Sequence, residues 1–306
     1  MTLRNWIPQW LKNYKLGTIK PHSYHQLEVL VRLIPDDLQD MELEDIKPLH
    51  LQEFVNKFSA NASKSYKDKM RGLLRGLFSS AVENELTARD PSAKLRTPLT
   101  IERPRQSFTR DEVRIIVDFA RDYPYRRIAV AVITLLFTGL RRGELLGIKW
   151  EDIDNNILTV RRGVYQAGGI PIAEDYKAKT TNSLRIVPLR AEVAFFIQSL
   201  PRNGQFVFGT KHGSLWHPRN FSRDYRSFFK ALRNEYPEVR SLSPHCCRHT
   251  FATLSNEAHQ DMCSTQRILG HSDIQTTARY THPDLHNMQK AIGTYADYIF
   301  SSGGEH

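Results

Sequence analysis

The chain has 306 residues, a formal net charge of +10 and three cysteines, two of them adjacent. This length can bury two ordinary cores without disulfides or metals, and such a cysteine set makes no disulfide framework, so we expect two domains in a reducing compartment. No apolar run approaches the roughly 20 residues that span a bilayer and no signal peptide is evident, which predicts a cytoplasmic protein without membrane contacts. The positive charge favours a polyanionic partner.

The first hundred residues predict helices and no strands. Apolar residues recur at helical spacing in three segments, over 6–14, 24–33 and 49–58. Charge is segregated along the same stretch: residues 28 to 53 carry eight acidic residues, whereas residues 57 to 75 carry six basic residues against Asp68 alone. We therefore expect an all-helical N-terminal domain with one basic surface.

The basic stretch predicts a helix with two different faces. Its apolar residues recur every three or four positions, at Tyr66, Met70, Leu73, Leu77 and Ala81. Its basic residues project elsewhere around the same helix, at Lys64, Lys67, Arg71 and Arg75. The apolar stripe is predicted to pack, and the basic residues either form a solvated face or contact a partner.

A basic segment without periodicity follows this domain. It contains two prolines and two arginines, Pro98, Pro104, Arg103 and Arg105, which is typical of an extended linker. We expect the helical domain over 1–96, the linker over 97–106 and a second domain over 107–306. The two linker arginines are further candidates for contacts with a nucleic-acid backbone.

The second domain predicts helices around a small sheet. Thr109 and Glu112 have the spacing of a capping box that opens a helix. A strongly apolar helix over 128–137 ends at Gly139. Short β-prone runs separated by turn residues over 157–189 predict a small antiparallel sheet, after which helical patterns return. The predicted fold class is therefore mainly α.

Three stretches combine residue types that suit phosphate chemistry. They are TGLRRGELLGIKWEDID (138–154), SPHCCRHTFATL (243–254) and LGHSDIQTTARYTH (269–282). Breaking a phosphodiester bond without a metal requires a nucleophile, positive charge at the non-bridging oxygens and a proton for the leaving oxygen. His245 and Arg248 lie three residues apart, so on a helix they share a face that can hold a phosphate.

Two choices stay open when only the residues are considered. Arg141 or Arg142 follows the glycine at what looks like a helix start, where backbone N–H groups favour an anion. Neighbouring helical residues point about 100° apart, so only one of the two arginines can face a site. Lys177 and Lys179 alternate on one face of a possible strand, so periodicity does not choose between them.

The second motif also has a zinc interpretation, which is the weaker one. His245 and His249 have a spacing found in zinc sites, and the cysteines offer sulfur ligands. However, the adjacent side chains of Cys246 and Cys247 point apart, and the sequence has no C-x₂-C pair. We therefore predict no metal site, with both cysteines packed as small apolar residues and His249 as a packed helix residue.

The three motifs, in this order and with a lysine between the first two, resemble the tyrosine recombinase family of phage-type and mobile-element integrases over residues 3 to 295. The resemblance implies a helical, SAM-like core-binding domain and a mostly helical catalytic domain with a small antiparallel sheet, the DNA breaking-rejoining fold. It implies a catalytic set of Arg141, Lys179, His245, Arg248, His271 and Tyr280, with Lys177 as the fallback for the lysine. It also implies that Glu144 supports Arg141, and that Arg142 is a surface or DNA-backbone residue.

The resemblance also implies a role for each catalytic residue. Tyr280 attacks the phosphate and forms a 3′-phosphotyrosyl link, and Lys179 acts as general acid towards the 5′ leaving oxygen. Arg248 binds the scissile phosphate, and His245 assists beside it by proton transfer or hydrogen bonding. A phenol has a pKa of about 10, so attack near neutral pH depends on nearby cations that favour the phenolate. The ester retains the bond energy, so no ATP, metal or other cofactor is implied.

The implied partners are double-stranded DNA recombination sites and three further copies of the chain, since the family exchanges strands as a homotetramer on two sites through a Holliday junction. Accessory DNA-bending or excisionase proteins are further candidates. The leading interpretation is integration and excision of a mobile element or phage; the alternatives are a Xer-like chromosome dimer resolvase and a catalytically silent DNA-binding regulator. Residues 285 to 306 are implied to form an exchange tail that docks on a neighbouring protomer, and the sequence starts directly at the core-binding pattern.

Overall fold

Two apolar clusters, one on each side of the proline- and arginine-rich segment, organise the chain. The computed structural model describes residues 1–19, 21–59, 62–99, 106–167, 169–176, 184–258, 262–270 and 285–300. The chain divides into two units, Met1–Pro104 and Arg105–His306. This division falls within the predicted linker.

The described residues of the first unit form helices and no extended strand. The helices are α1 (Leu3–Trp10), α2 (Pro21–Val31), α3 (Asp36–Gln39), α4 (Pro48–Ser59) and α5 (Lys64–Glu83), and a π-helical turn, Leu11–Lys15, continues α1. The three helices predicted from apolar spacing are present, with ends shifted by a few residues. The short helix α3 was not predicted, although Pro35 before it and two aspartates in its first turn are typical start signals.

Helix α1 packs on α5 through two buried indoles that both have hydrogen-bond partners. The Trp6 Nε1–H donates to the carbonyl oxygen of Leu77 at 3.0 Å, and the Trp10 Nε1–H donates to Ser80 Oγ at 3.2 Å. An indole can be buried at low cost when its N–H is satisfied in this way. These two bonds fix the position of α1 along α5.

The apolar stripe of α5 is buried as predicted, but the face assigned to one lysine is wrong. Lys67 has only 6% of its surface exposed and therefore does not lie on the open basic face. Lys67 lies seven residues before Leu74 and fourteen before Ala81, and these residues are buried and share one line along the helix. The buried stripe is thus wider than the five predicted residues, and the methylene stem of Lys67 packs within it.

The described residues of the second unit form helices around short strands. The helices are α6 (Arg110–Asp122), α7 (Arg126–Thr138), α8 (Arg142–Leu146), α9 (Ala191–Gln198), α10 (Pro218–Glu235), α11 (Pro244–Glu257), α12 (Met262–Leu269) and α13 (Leu285–Phe300). The strands are β1 (Ile153–Asp154), β2 (Ile157–Val160), β3 (Arg162–Ala167), β4 (Ile170–Asp175) and β5 (Arg185–Pro188). Across the described ranges of both units, no helix combines the length and apolar character that a membrane crossing requires.

Helix α7 is the centre of the second unit. Every residue from Ile128 through Thr138 is buried, and α6, α11 and α13 all pack against it. The helix ends where Gly139 adopts a left-handed conformation with φ of 61°, and the Gly139 N–H donates to the carbonyl oxygen of Leu135 at 3.1 Å. The predicted apolar helix and its glycine end are therefore confirmed, because a residue without Cβ adopts this φ most readily.

The predicted capping box at the start of α6 is also confirmed. The Glu112 N–H donates to Thr109 Oγ1 at 3.2 Å, and the Thr109 N–H donates to Glu112 Oε2 at 2.7 Å. The same carboxylate accepts from the guanidinium and the backbone N–H of Arg240. Burial acts to raise the pKa of Glu112, but these hydrogen bonds outweigh it and lower the pKa to about 2.

The predicted small antiparallel sheet is present as two separate pieces. One sheet has the strand order β1-β2-β5, with Leu158 paired to Val187, and the other is the β3-β4 hairpin. Helix α8 lies directly on the hairpin, because a Cβ atom at Gly143 would come within 2.6 Å of the carbonyl oxygen of Val164. Glycine at this position lets the two backbones meet without a side chain between them.

Helix α13 packs on the domain of its own chain. The side chains of its inner face are buried, at Met288, Ile292, Tyr295, Ala296 and Ile299. The Tyr295 hydroxyl donates to the carbonyl oxygen of Leu136 in α7 at 3.1 Å. In the single chain the apolar face of α13 thus packs on the core beside it. Residues 301–306 lie outside the described residues, and exchange between protomers stays a prediction.

We expect Gly139→Ala to destabilise the second unit more than Gly169→Ala does. Both glycines have positive φ, so each substitution costs roughly 1 to 2 kcal/mol in backbone strain. A Cβ at Gly139 would also meet Leu269 Cδ2 at 2.6 Å and Phe251 Cδ1 at 2.9 Å, whereas a Cβ at Gly169 meets nothing within 4 Å. The overpacking adds about 1 to 3 kcal/mol at Gly139. Calorimetric melting of the two variants measures the difference, and equal decreases in Tm would contradict this account.

Candidate phosphate-binding site

Arg141 stands at the start of α8, immediately after the turn that ends α7. Its backbone N–H donates to Glu144 Oε2 at 2.8 Å, and its guanidinium donates to Glu144 Oε1 at 2.8 Å. The Arg141 side chain is 43% exposed, while that of Glu144 is 1% exposed. A buried carboxylate therefore holds an open guanidinium in place. The same carboxylate caps the start of α8, where the sequence suggested that the backbone would be open to an external anion.

Arg185 on β5 makes the second ion pair of Glu144. Its guanidinium donates two hydrogen bonds to the carboxylate, at 3.0 Å and 2.8 Å, and its Nε donates to the carbonyl oxygen of Ile268 at 2.6 Å. Burial acts to raise the pKa of Glu144, but the hydrogen bonds and charges of Arg185 and Arg141 outweigh it and keep the pKa below its usual value. The carboxylate is therefore ionised and shared between two arginines.

Arg248 on α11 is buried between the ends of two helices. Only 3% of its surface is exposed, and its guanidinium donates to the carbonyl oxygen of Gly139 at 2.8 Å and to that of Leu269 at 2.5 Å. Gly139 ends α7 and Leu269 ends α12, so the second sequence motif is bonded to both the first and the third. These carbonyl groups carry the partial negative charge of helix C-termini, which suits a cation.

The charges around Arg248 leave an excess of positive charge. Burial lowers the pKa of Arg248 to about 10, and the nearby charges of Arg141 and Arg185 act in the same direction, opposed by Glu144. Within the described ranges, no carboxylate lies within ion-pair distance of Arg248. Three guanidinium groups thus lie near one carboxylate, which pairs with only two of them, and an external anion would relieve their repulsion. A phosphate diester has the charge and the oxygen geometry for this position.

His245 lies one helical turn before Arg248 on α11. Its side chain is exposed, and its ring packs edge-on against that of His249, with the ring centroids 4.7 Å apart and the planes at 87°. The structure thus keeps His245 and Arg248 on one helix, as the spacing predicted. His245 reaches solvent while Arg248 is enclosed, so the two side chains have different access to a bound phosphate.

The cysteines of the second motif pack, as predicted. Cys247 is completely buried, with its Sγ 3.4 Å from the hydroxyl of Tyr225, and burial raises the pKa of its thiol to about 12. Cys246 is partly buried against the same core. The part of the chain that the structure describes contains no group of three or more metal-ligating side chains. The side chain of Cys263 lies outside the described residues.

Several predicted site residues lie outside the described residues. They are Lys177, Lys179, His271 and Tyr280 of the catalytic set and Arg103 and Arg105 of the linker. The two lysines fall between β4 and β5 in the sequence, and Tyr280 falls between α12 and α13. Their roles remain predictions.

The basic residues of α5 differ in their exposure and in their contacts. Lys64 and Arg75 are exposed, and Arg75 donates to the carbonyl oxygen of Ala93 at 3.2 Å. Arg71 lies 3.3 Å from Asp68 in an ion pair one turn away along the helix. Three of the four predicted residues thus reach the surface of the first unit.

Two residues near the site were missed when only the sequence was considered. In the sequence, Arg185 was used only to choose between the two candidate lysines. An arginine in the apolar run RIVPL, however, indicates a buried partner of opposite charge. Tyr176 ends the hairpin beside Glu144, and burial, reinforced by the charge of Glu144, raises the pKa of its phenol to about 12. Tyr176 is therefore a neutral hydroxyl at the edge of the arginine cluster.

We expect Glu144→Gln to reduce the free energy of unfolding by roughly 3 to 5 kcal/mol at neutral pH, because it removes one partner from a buried ion pair. Folding lowers the pKa of Glu144, so its charge stabilises the protein above the unfolded pKa of about 4.3, and this contribution is lost as pH falls through the folded value. Urea unfolding at several pH values should show a constant difference from wild type near neutrality that shrinks below about pH 4. The exposed Glu235→Gln is the control, and an equal effect of both substitutions would refute the assignment.

Two family models match this chain. The model of the phage integrase family matches residues 106–286, and that of the phage integrase N-terminal SAM-like domain matches residues 2–59. The chain is 27% identical to a tyrosine recombinase XerC-like protein of Caldanaerobacter subterraneus subsp. tengcongensis, covering 97% of this chain and 83% of that one. It is also 27% identical to tyrosine recombinase XerD of Yersinia pestis, covering 91% and 88%.

Solved structures with the same fold are integrases bound to DNA. The Tn1549 transposon integrase in complex with a circular intermediate DNA matches with a TM-score of 0.78 at 20% identity, covering 96% of this chain and 99% of that one. A lambda integrase dimer bound to a COC′ core site matches with a TM-score of 0.68 at 20% identity, covering 100% and 99%. The predicted fold, a helical SAM-like domain and a mostly helical catalytic domain with a small antiparallel sheet, is confirmed. Since the phage integrase model spans more than half of its length, the chain belongs to the phage integrase family, the tyrosine recombinases.

Proposed function

We propose that this chain cleaves and rejoins DNA at specific sites through a 3′-phosphotyrosyl intermediate. The observation that carries the proposal is the cluster of Arg141, Arg185 and Arg248 around the single carboxylate of Glu144. Hydrogen-bond donors and positive charges fixed in advance stabilise the charge that develops on phosphate oxygens during transfer. Because the cluster is already ordered by its own hydrogen bonds, little reorganisation is needed when DNA binds.

Arg141 and Arg248 are proposed to bind the two non-bridging oxygens of the scissile phosphate. The guanidinium of Arg141 is 43% exposed, and the nearby Arg248 is fixed by two carbonyl groups. Arginine suits both positions because its planar fork matches a pair of phosphate oxygens. Glu144 and Arg185 position these groups, and the exposed His245 donates a hydrogen bond or a proton beside them.

The covalent step is proposed for residues that the motifs supply. The phenolate oxygen of Tyr280 attacks the phosphorus, the bond to the 5′ oxygen breaks, and Lys179 gives that oxygen a proton; Lys177 is the alternative donor. His271 joins the same site. The positive charge of the arginines favours the phenolate of Tyr280. Rejoining reverses the step, when the 5′-hydroxyl of a partner strand attacks the tyrosyl ester. The proposed reaction therefore needs no metal, ATP or other cofactor.

Double-stranded DNA recombination sites are the proposed substrate, and a homotetramer on two sites is the proposed assembly. A lambda integrase tetramer bound to a Holliday junction has the same fold as this chain. Lys64, Arg71 and Arg75 on α5 and the linker residues Arg103 and Arg105 are proposed to contact the DNA backbone. Residues 285–306 are proposed to form the exchange tail. Accessory DNA-bending or excisionase proteins are proposed as further partners.

Two biological roles have support. The fold similarity to the Tn1549 transposon integrase favours integration and excision of a mobile element or phage. The relatives named XerC-like and XerD favour the alternative, resolution of chromosome dimers. In either role the protein is proposed to act on DNA in the cytoplasm of a bacterial or archaeal cell.

Trapping of the covalent intermediate tests the reaction and finds the DNA site in one experiment. The tagged full-length chain is expressed in cells, and the cells are lysed in denaturant with EDTA. The chain is then purified, and the DNA attached to it is sequenced. A nicked duplex of the recovered sequence should then give the same adduct in vitro in EDTA. We expect Tyr280→Phe to abolish the adduct because it lacks the nucleophile. Tyr236→Phe, at an exposed tyrosine, should preserve it. The absence of any adduct with the intact chain, or an adduct with Tyr280→Phe, would refute the proposal.

We expect Arg248→Lys to slow adduct formation by about 100- to 1,000-fold, because one ammonium cannot bond two carbonyl groups and a phosphate together. Arg142→Lys is the matched control. Arg142 is an exposed arginine next to Arg141 in the first motif, and it donates to Ser222 Oγ at 2.8 Å. Its rate should stay within about threefold of wild type if it only contacts the DNA backbone. Adduct yield is measured over time on the nicked duplex, at a temperature where calorimetry shows both variants folded. Equal losses in the two variants would contradict the role of Arg248.

A further inference from the structure

A large cavity opens at the beginning of α7, at the opposite end of this helix from the arginine cluster. Its volume is about 760 Å³, within the size range of small-molecule sites of about 300 to 1,000 Å³. The first turn of α7 lines it, together with the loop after α9 and one face of α10. Thirteen helical residues separate the two ends of α7 by about 20 Å, so the cavity is distinct from the phosphate site.

An arginine and a tryptophan form the polar part of the wall. The guanidinium carbon of Arg127 lies 4.2 Å from the centroid of the Trp216 ring, and one guanidinium N–H donates to the carbonyl oxygen of Gly209 at 2.8 Å. Trp216 is 2% exposed, and its Nε1–H has no hydrogen-bond acceptor in the described part of the chain. This N–H has no accessible surface, so a molecule in the cavity meets the Trp216 ring and the guanidinium over it, and not the N–H itself.

The charge of the wall indicates what kind of ligand fits. Basic side chains around the cavity include Arg127, Lys211 and His212, and Asp224 is the one carboxylate among the lining residues that the structure describes. Asp224 already lies 3.2 Å from the Nε of Arg223, which is not part of the wall. Burial lowers the pKa of Arg127 although the charge of Asp224 acts to raise it, and a further anion placed against the guanidinium would stabilise its charge.

Aromatic side chains form the rest of the lining. The rings of Tyr123 and Tyr125 lie 5.7 Å apart at 57°, and Tyr125 is 71% exposed at the surface. Leu200 and Val207 add aliphatic surface. Flat apolar groups are held well by such surfaces, because aromatic rings bury a large area with few rotatable bonds.

We propose that this cavity binds a small organic anion with a flat apolar body, of the aromatic carboxylate class. Its carboxylate pairs with the free edge of the Arg127 guanidinium over the Trp216 ring, and its own ring packs beside the two tyrosines. The site is independent of the proposed recombination reaction, since it shares no residue with the arginine cluster.

Indole N–H signals of the full-length chain test this proposal directly. The chain has four tryptophans, so ¹⁵N labelling gives four indole signals, assigned with Trp216→Phe and Trp150→Phe. Three probes separate charge from shape: 2-naphthoate, its neutral analogue 2-naphthamide, and acetate. We expect 2-naphthoate to shift the Trp216 signal saturably, with 2-naphthamide at least about tenfold weaker and acetate without a saturable effect.

Trp150 provides the internal control. An arginine also lies over its ring, with the Arg202 guanidinium carbon 4.6 Å from the ring centroid. The Trp150 Nε1–H also lacks an acceptor in the described part of the chain. Trp150 does not line the cavity. Its signal should therefore not respond to 2-naphthoate, although its local chemistry matches that of Trp216.

Variants complete the test. Arg127→Gln should weaken 2-naphthoate binding at least about tenfold, whereas the matched Arg202→Gln should leave it unchanged. Tyr125→Ala, at a position that is 71% exposed, should weaken both naphthyl probes equally, and it decides the outcome if Arg127→Gln does not fold. An unresponsive Trp216 signal, equal binding of the charged and neutral probes, or unaltered affinity in Tyr125→Ala would overturn the proposal.

Discussion

The second unit depends on one buried guanidinium. Arg248 joins the carbonyl groups that end α7 and α12, and in doing so fixes the first and third motifs to the second. A buried cation is costly unless its donors are used, and here helix ends with partial negative charge use them. The interaction that stabilises the packing thus also holds the positive charge for which we propose a role in phosphate binding, so that stability and the proposed activity depend on the same side chain.

Glu144 gives the cluster its order. Without this carboxylate, Arg141, Arg185 and Arg248 would repel one another in a partly dry environment. With it, two of the guanidinium groups have fixed partners, and the net positive charge is retained. The site is therefore assembled before any substrate arrives, and its remaining charge imbalance is what an anionic substrate corrects. This is the arrangement expected where electrostatic stabilisation, and not a bound metal, carries the chemistry.

Local patterns predicted much of this molecule, and long-range partners account for what they missed. The capping box of α6 and the glycine end of α7 depend on residues within four positions of each other, so sequence spacing was sufficient. The burial of Lys67 depends on how wide a face its helix packs, and the role of Arg185 depends on a carboxylate 41 residues away. Neither can be read from periodicity. The motifs predicted a phosphate site, and the fold shows that Arg248 is held by two backbone carbonyl groups.

The contact between Gly143 and β3 sets a mechanical limit on the site. With only hydrogen between the backbone of α8 and the carbonyl of Val164, the helix that carries Glu144 and the hairpin that leads to Tyr176 form a single stiff part. The two cannot be adjusted against each other by changing a side chain. The proposed proton donors, Lys179 or Lys177, follow Tyr176 in the sequence, so a side chain at position 143 would displace Glu144 relative to the hairpin that leads to them.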